Sequence, residues 1–457
     1  MSKDKRTDRY NRYEKHLMKS PRLYKPAADL KEDNDDVTAR VSNYVLGPSL
    51  CGFVLWTLNE AVKSGKKRLY FLARDGYLMY QSAKIFCEKL NLPIECRYLS
   101  CSRYSIRVPL FHMDTNDALE YVCRSGIDVN MKKILNRAGL TEQEQVEVLD
   151  GIELNIDMSE VIPYARLGEI RCVLKENKQF MQYMCDHSKE AIPNLMGYLR
   201  QEGLLDKVDD ALVDSGWVGS MQKTLNQLLA YMGRKEKLEG YYWGLYELPA
   251  GAERGAYHCY YFGPEGGLKE KVYFSNCLFE VIFSAPHGMT LRYEEDGGEF
   301  VPVYDFIADV RRNFIEVMEY LLVQYTKQLA DGLDSLGTVD FQKDRRTIKA
   351  LIRLFMGKPT QMEAKMYGEC MFSDDVLESD MQPVAAVMSE KELKDNHVLN
   401  KVLIMFGMKK GNIRESAWYE GSAAGNGQAV GWHLRQYALY KYLLYVRKTI
   451  VWRRNNG

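Results

Sequence analysis

Two segments of this chain share one local design, and together they restrict the fold more than any other feature. LYFLARDGYL (Leu69–Leu78) and ALVDSGWVGSMQKTL (Ala211–Leu225) each run from a short apolar stretch through an acidic residue and glycine into apolar residues at helical spacing. A short apolar run that feeds directly into a helix suits a parallel strand covered on both faces. ECRYLSCSRYSIRV and LEGYYWGLYEL supply further strands. The expected fold class is α/β: a mainly parallel sheet with flanking helices and a helical insertion, followed by an α-helical C-terminal region.

At 457 residues the chain exceeds what one hydrophobic core usually holds, so several units are expected. Residues 1–37 read as a charged, solvated arm ending in KEDNDD, whose last acids suit the cap of the next helix. Residues 38–300 read as an α/β ligand-binding domain, with 115–205 as the helical insertion. Its first part, VTARVSNYVLGPSLCGFVLW, predicts helix, bend at Gly47-Pro48, helix. The stretch 249–303 is broken by Gly and Pro and predicts no firm element. Residues 301–420 read as a helical domain, 421–431 (GSAAGNGQAVG) as a linker, and 432–457 as a basic aromatic helix.

Lys+Arg and Asp+Glu are both 62, so no global field draws the chain to nucleic acid. The N-terminal stretch lacks the apolar run of a secretory signal, and no uninterrupted apolar run reaches membrane-spanning length, so a cytoplasmic location is expected. The ten cysteines form no CxxC pair, which predicts neither disulfides nor a zinc site.

In the first turn, Asp75 follows a strand and Gly76 opens a helix, which places a carboxylate and helix amides at the carboxyl rim of a sheet. Arg74 is a cationic neighbour. Set against the haloacid-dehalogenase signature Asp-x-Asp-Gly-Thr, the segment aligns as Ala73-Arg74-Asp75-Gly76-Tyr77, so alanine stands where that chemistry needs its nucleophile. In the second turn, Asp214, Ser215, Gly216, Trp217, Gly219 and Ser220 resemble the phosphate-binding loop of phosphoribosyltransferases, with Ser215 in place of a second acid and the bulky Trp217 in mid-loop. Ser102 and Arg103, after the second strand, are candidate anion contacts. Glu280 and His287 lie close together in FEVIFSAPHG, and His287 in its Pro-His-Gly turn is a candidate acid/base. No HExxH, GxSxG, P-loop or DxD metal pattern is present, and the cofactor expectation goes no further than magnesium.

The pieces LGPSLCGFVLW, YFLARDGYL, YLSCSR, LVDSGWVGSMQKTL, GYYWGL and LFEVIFSAPHG, spread over roughly 40–295, resemble a bacterial family described as predicted haloacid-dehalogenase-superfamily hydrolases that accompany glycosyltransferases in surface-polysaccharide gene sets. In that family a phosphatase module precedes this region, and 1–37 is too short for one, so the polysaccharide setting is expected to carry over and the hydrolase label is not. The resulting expectation is an enzyme acting on a phosphorylated or nucleotide-activated sugar, as a transferase in preference to a phosphatase. Asp75, Asp214 and His287 are then the catalytic candidates, and the Gly216–Ser220 turn is the phosphate cradle. The alternatives are a haloacid-dehalogenase-like hydrolase and a noncatalytic sugar-phosphate or glycosyltransferase-partner scaffold. The helix 432–457, basic and without an acid after Glu420, suggests peripheral contact with the inner membrane face.

Overall fold

A computed structural model of the chain describes residues 3–30, 36–126, 129–152, 157–373, 377, 381–405, 408 and 413–456. The apolar runs form five strands, β1 (Arg68–Leu72), β2 (Glu95–Leu99), β3 (Asp210–Trp217), β4 (Glu239–Leu245) and β5 (Tyr257–Phe262). They pair in parallel in the order β2-β1-β3-β4-β5. Every residue of β1 is buried, as a strand with helices on both faces requires.

Alternation along the strands divides the core into two layers. Leu69, Phe71, Val213 and Trp243 face one layer, shared with Phe53 of helix Gly47–Lys63, Leu322 of Asp309–Asp331 and Leu351 of Phe341–Phe355. Tyr70, Leu72 and Leu212 face the other, against Leu225 and Leu228 of helix Ser220–Tyr231 and Tyr198 of Lys178–Gln201. The insertion builds a core of its own around Leu119, Ile134, Ile170 and Phe180.

The chain leaves β1 on one side to form β2 and returns on the other side as β3. Connections therefore diverge between β1 and β3, and the crevice this leaves at the carboxyl ends of the two strands is where open α/β sheets bind ligands.

Several sequence expectations change. Residues 3–30 are not a solvated arm: they form helices Lys3–Leu17 and Pro21–Asp29, with Tyr13, Leu17 and Leu23 in the main core. Two of its charges, Arg9 and Arg22, are paired with the remote carboxylates Glu363 and Asp344. Arg9 donates to both Glu363 oxygens (3.1 and 2.9 Å) and to the Leu354 carbonyl (2.6 Å), while Tyr13 donates to Glu363 (2.6 Å). Asp36 does cap the following helix, accepting from the Thr38 amide at 2.8 Å. The helix is not broken at Gly47-Pro48: a π-helical turn at Ser42–Leu46 joins Val37–Val41 to Gly47–Lys63 in one continuous run. Val37–Lys63 is also long and apolar enough to cross a membrane, yet 83% of its apolar window is buried in the protein.

Residues 301–420 are mostly helical but not separate, since Met318, Leu322, Ile348 and Phe355 belong to the sheet's own core. The stretch 421–431 read as a linker is largely helical, overlapping helix Tyr419–Asn426 and the start of Val430–Asn456, and Gly421 is small because the Trp418 ring lies 2.3 Å from where its Cβ would be. Within 249–303 lie β5 and a hairpin of β6 (Thr290–Asp296) and β7 (Glu299–Tyr304).

The buried Arg9–Glu363 pair gives a direct test of how firmly the N-terminal helices are held. Glu363→Ala leaves an uncompensated buried guanidinium and is expected to lower unfolding free energy by about 3–5 kcal/mol. Lys237→Ala, which breaks an exposed pair with Glu253, is expected to cost less than about 1 kcal/mol. Urea denaturation of the two variants checks the difference, and equal midpoints would contradict it.

Candidate active site

The site is assembled at the β1/β3 crevice. Asp75 stands immediately before helix Gly76–Lys89, and Asp214 lies within β3 itself, one residue beyond the Phe71↔Val213 pairing. The two turns touch: the Ser215 hydroxyl donates to Asp75 Oδ2 across 140 residues of sequence. Gly76 lets the start of its helix pack close on the end of β1, because a Cβ there would lie 3.0 Å from the Phe71 carbonyl carbon.

A third carboxyl joins them from helix Asn276–Ile282. Glu280 Oε1 accepts from Trp217 Nε1 at 2.5 Å. Asp75, Asp214 and Glu280 are all half-buried, and their mutual charge is unfavourable there. Burial, and next the charge of Asp75, push Asp214 up to about 7 and Glu280 up to about 8. Asp75 is raised by burial too, against the opposing pull of the Ser215 hydroxyl and of Arg74, Arg103 and Arg311. Near neutral pH the cluster therefore holds protons that free carboxyls would have lost. The exposed Arg103 and half-buried Arg74 place positive charge over the same group.

The remaining sequence candidates have other employment. Trp217 is not a ligand platform: its ring packs on Phe274 and Phe279 (5.4 and 5.7 Å between centroids) while its N–H holds Glu280. Gly216 and Gly219 take φ of +111° and +68°. A Cβ on Gly216 would sit 2.5 Å from the Gly244 carbonyl oxygen, and one on Gly219 would sit 2.8 Å from the Tyr257 ring. These glycines thus answer first to packing against β4 and β5. Ser220 opens helix Ser220–Tyr231, which has no side-chain cap, and faces a cavity of about 450 Å³ shared with Arg107, Lys223 and Tyr231.

Ser102 is not positioned as an anion contact. Its hydroxyl accepts from the Ser105 amide (2.9 Å) as the cap of helix Arg103–Arg107 and donates to the Thr290 carbonyl (2.7 Å). His287 is likewise committed. Nδ1 faces the Gly288 carbonyl at 2.8 Å, which makes it the protonated nitrogen and leaves Nε2 to accept from the Tyr98 hydroxyl, also at 2.8 Å. Burial and the charge of Arg74 keep its pKa low, so His287 stands as a neutral wall residue stacked beside Tyr304 rather than as a proton carrier.

Sequence reading therefore missed Glu280 as a member of the cluster, together with Arg311 from helix Asp309–Asp331 and the wall residues Tyr98 and Tyr304. Glu280 carried a detectable signal as a lone acid in an apolar helix, LFEVIF. Arg311 carried none. Among the described residues no group of three or more His, Cys, Asp or Glu is arranged to hold a metal ion.

No protein-family model matches this chain, and no curated protein matches it.

Raised carboxyl pKa values fix the sign of a stability effect. The folded state holds protons that the unfolded chain releases near pH 4, so this contribution is intact at acid pH and is lost as pH climbs through about 7 and about 8. Asp214→Asn and Glu280→Gln are expected to flatten the decline in urea midpoint between about pH 5 and about pH 9. Each is also expected to stabilise the protein at the alkaline end by on the order of 1–3 kcal/mol. A slope that both variants leave intact would contradict the assignment.

Proposed function

We propose that this chain is an enzyme acting on a phosphorylated or nucleotide-activated sugar in bacterial surface-polysaccharide biosynthesis, and that it works as a transferase. The polysaccharide setting rests on the resemblance of the motifs over 40–295. The chemistry rests on one observation: the half-buried carboxyls Asp75, Asp214 and Glu280 meet at the β1/β3 crevice, Asp75 held by Ser215 and Glu280 by Trp217, with Arg74 and Arg103 beside them.

Such a cluster is suited to moving a proton while holding an anion. Arg74 and Arg103 receive the phosphate group. Asp214, titrating at about 7, is the base that takes the proton of an acceptor hydroxyl. As that oxygen bonds to the anomeric carbon, the bond from carbon to phosphate oxygen breaks with its electron pair on the leaving phosphate. Glu280, protonated up to about 8, donates its proton to that oxygen. Asp75, pinned by Ser215, keeps both pKa values high and orders the cluster. An aspartyl-phosphate mechanism is not favoured, because Ala73 occupies the position its nucleophile would need.

The test compares binding and turnover of 5-phosphoribosyl diphosphate, nucleotide sugars and sugar phosphates. Arg103→Ala is expected to weaken binding of the active ligand tenfold or more, as loss of a charge-assisted contact to phosphate does. Asp214→Asn is expected to keep binding and lose about a hundredfold or more in rate. The rate profile should peak between the two apparent carboxyl values, about 7 and about 8. Affinity indifferent to Arg103→Ala together with a rate indifferent to Asp214→Asn would remove the site. Binding of these ligands with no turnover would favour a noncatalytic scaffold that presents them to a glycosyltransferase.

A further inference from the structure

The long C-terminal helix Val430–Asn456 has two unlike faces. One is docked: Lys441 donates to the Phe274 carbonyl (3.1 Å) and Glu420 (3.2 Å), Tyr437 stacks on Tyr419 (4.1 Å between centroids) and Tyr445 stacks on Tyr246 (5.4 Å). The opposite face is apolar and half-exposed, with the Trp432 ring edge-on to His397 at 4.4 Å between centroids. Trp432, Leu439, Leu443, Val446 and Ile450 are 45%, 49%, 45%, 42% and 54% exposed. At about 100° per residue these five fall within about 40° of a single line along the helix. The exposed Arg435 and Arg447 flank that line on either side.

We infer that this stripe is a membrane-docking surface for anionic lipid, with the helix lying in the interface and its apolar line turned to the acyl region. Charge selects that occupant over a second copy of the chain. Between residues 421 and 457 there are six Arg or Lys and no Asp or Glu, so a paired copy would bring only like charge to the edges of the seam. Area points the same way: five half-exposed side chains offer on the order of 400 Å², against about 800 Å² per partner in a standard protein interface. Apolar side chains flanked by guanidinium groups match an anionic lipid surface, where the cations meet headgroups and the stripe meets hydrocarbon. The inference is independent of the reading of the β1/β3 crevice.

The full chain should co-sediment with vesicles of equimolar phosphatidylglycerol and phosphatidylcholine, and at least tenfold less with phosphatidylcholine alone. Leu443→Glu and Ile450→Glu change exposed positions, so each should keep the wild-type circular dichroism and thermal midpoint while losing vesicle binding. Arg435→Glu should weaken binding to the anionic vesicles selectively. Failure to bind those vesicles overturns the inference, as does equal binding to neutral ones. A concentration-dependent dimer abolished by Leu443→Glu, without vesicle binding, overturns it in favour of self-association.

Discussion

The parallel pairing of β1 with β3 is the constraint on which the rest of the site depends. It sets Phe71 beside Val213, so the chain leaving β1 and the far end of β3 meet at one rim. The Ser215–Asp75 hydrogen bond is the local consequence: a hydroxyl on one turn settles a carboxyl on the other. Without that register Asp75 and Asp214 would be two ordinary surface acids. With it they share a half-buried space, and each resists the ionisation of its neighbours.

The third carboxyl enters through packing. Trp217 is carried at the end of β3 in a left-handed conformation (φ +71°) and buries its ring among Phe274 and Phe279. Its indole N–H is then left pointing at Glu280. Gly216 and Gly219 make this possible by letting β4 and Tyr257 come close. The glycine-rich look of the turn is in this sense a requirement of the sheet, and the functional groups are the acids and arginines around it. Backbone conformation, aromatic packing and electrostatics therefore converge on the same few residues.

The parts of this arrangement that were legible in the sequence are those written locally. Strand β3 followed by helix Ser220–Tyr231 is visible because an apolar run, an acid and a glycine precede helical spacing, and Asp75 and Asp214 could be named from the same pattern. The meeting of the two turns follows from the β1/β3 pairing, which brings Ser215 to Asp75. What stayed hidden depends on long-range partners. Arg9 reads as one charge in a solvated arm until Glu363 is seen beside it, 354 residues away. Gly421 reads as linker until the Trp418 ring is seen against it. His287 reads as a free acid/base until Tyr98 and the Gly288 carbonyl are seen to occupy both of its nitrogens. In each case the residue type was right for the inferred role and the surroundings gave it another.

The chemistry of this crevice depends on carboxyls that keep their protons near neutral pH. Carbon-13 NMR titration of labelled Asp and Glu side chains, with Asp214→Asn and Glu280→Gln used to assign the signals, measures that directly. The account predicts two resonances titrating near 7 and near 8, both moved by Ser215→Ala, which withdraws the hydroxyl from Asp75. Titration of every Asp and Glu carboxyl below about pH 5, the range of unperturbed side chains, would contradict it.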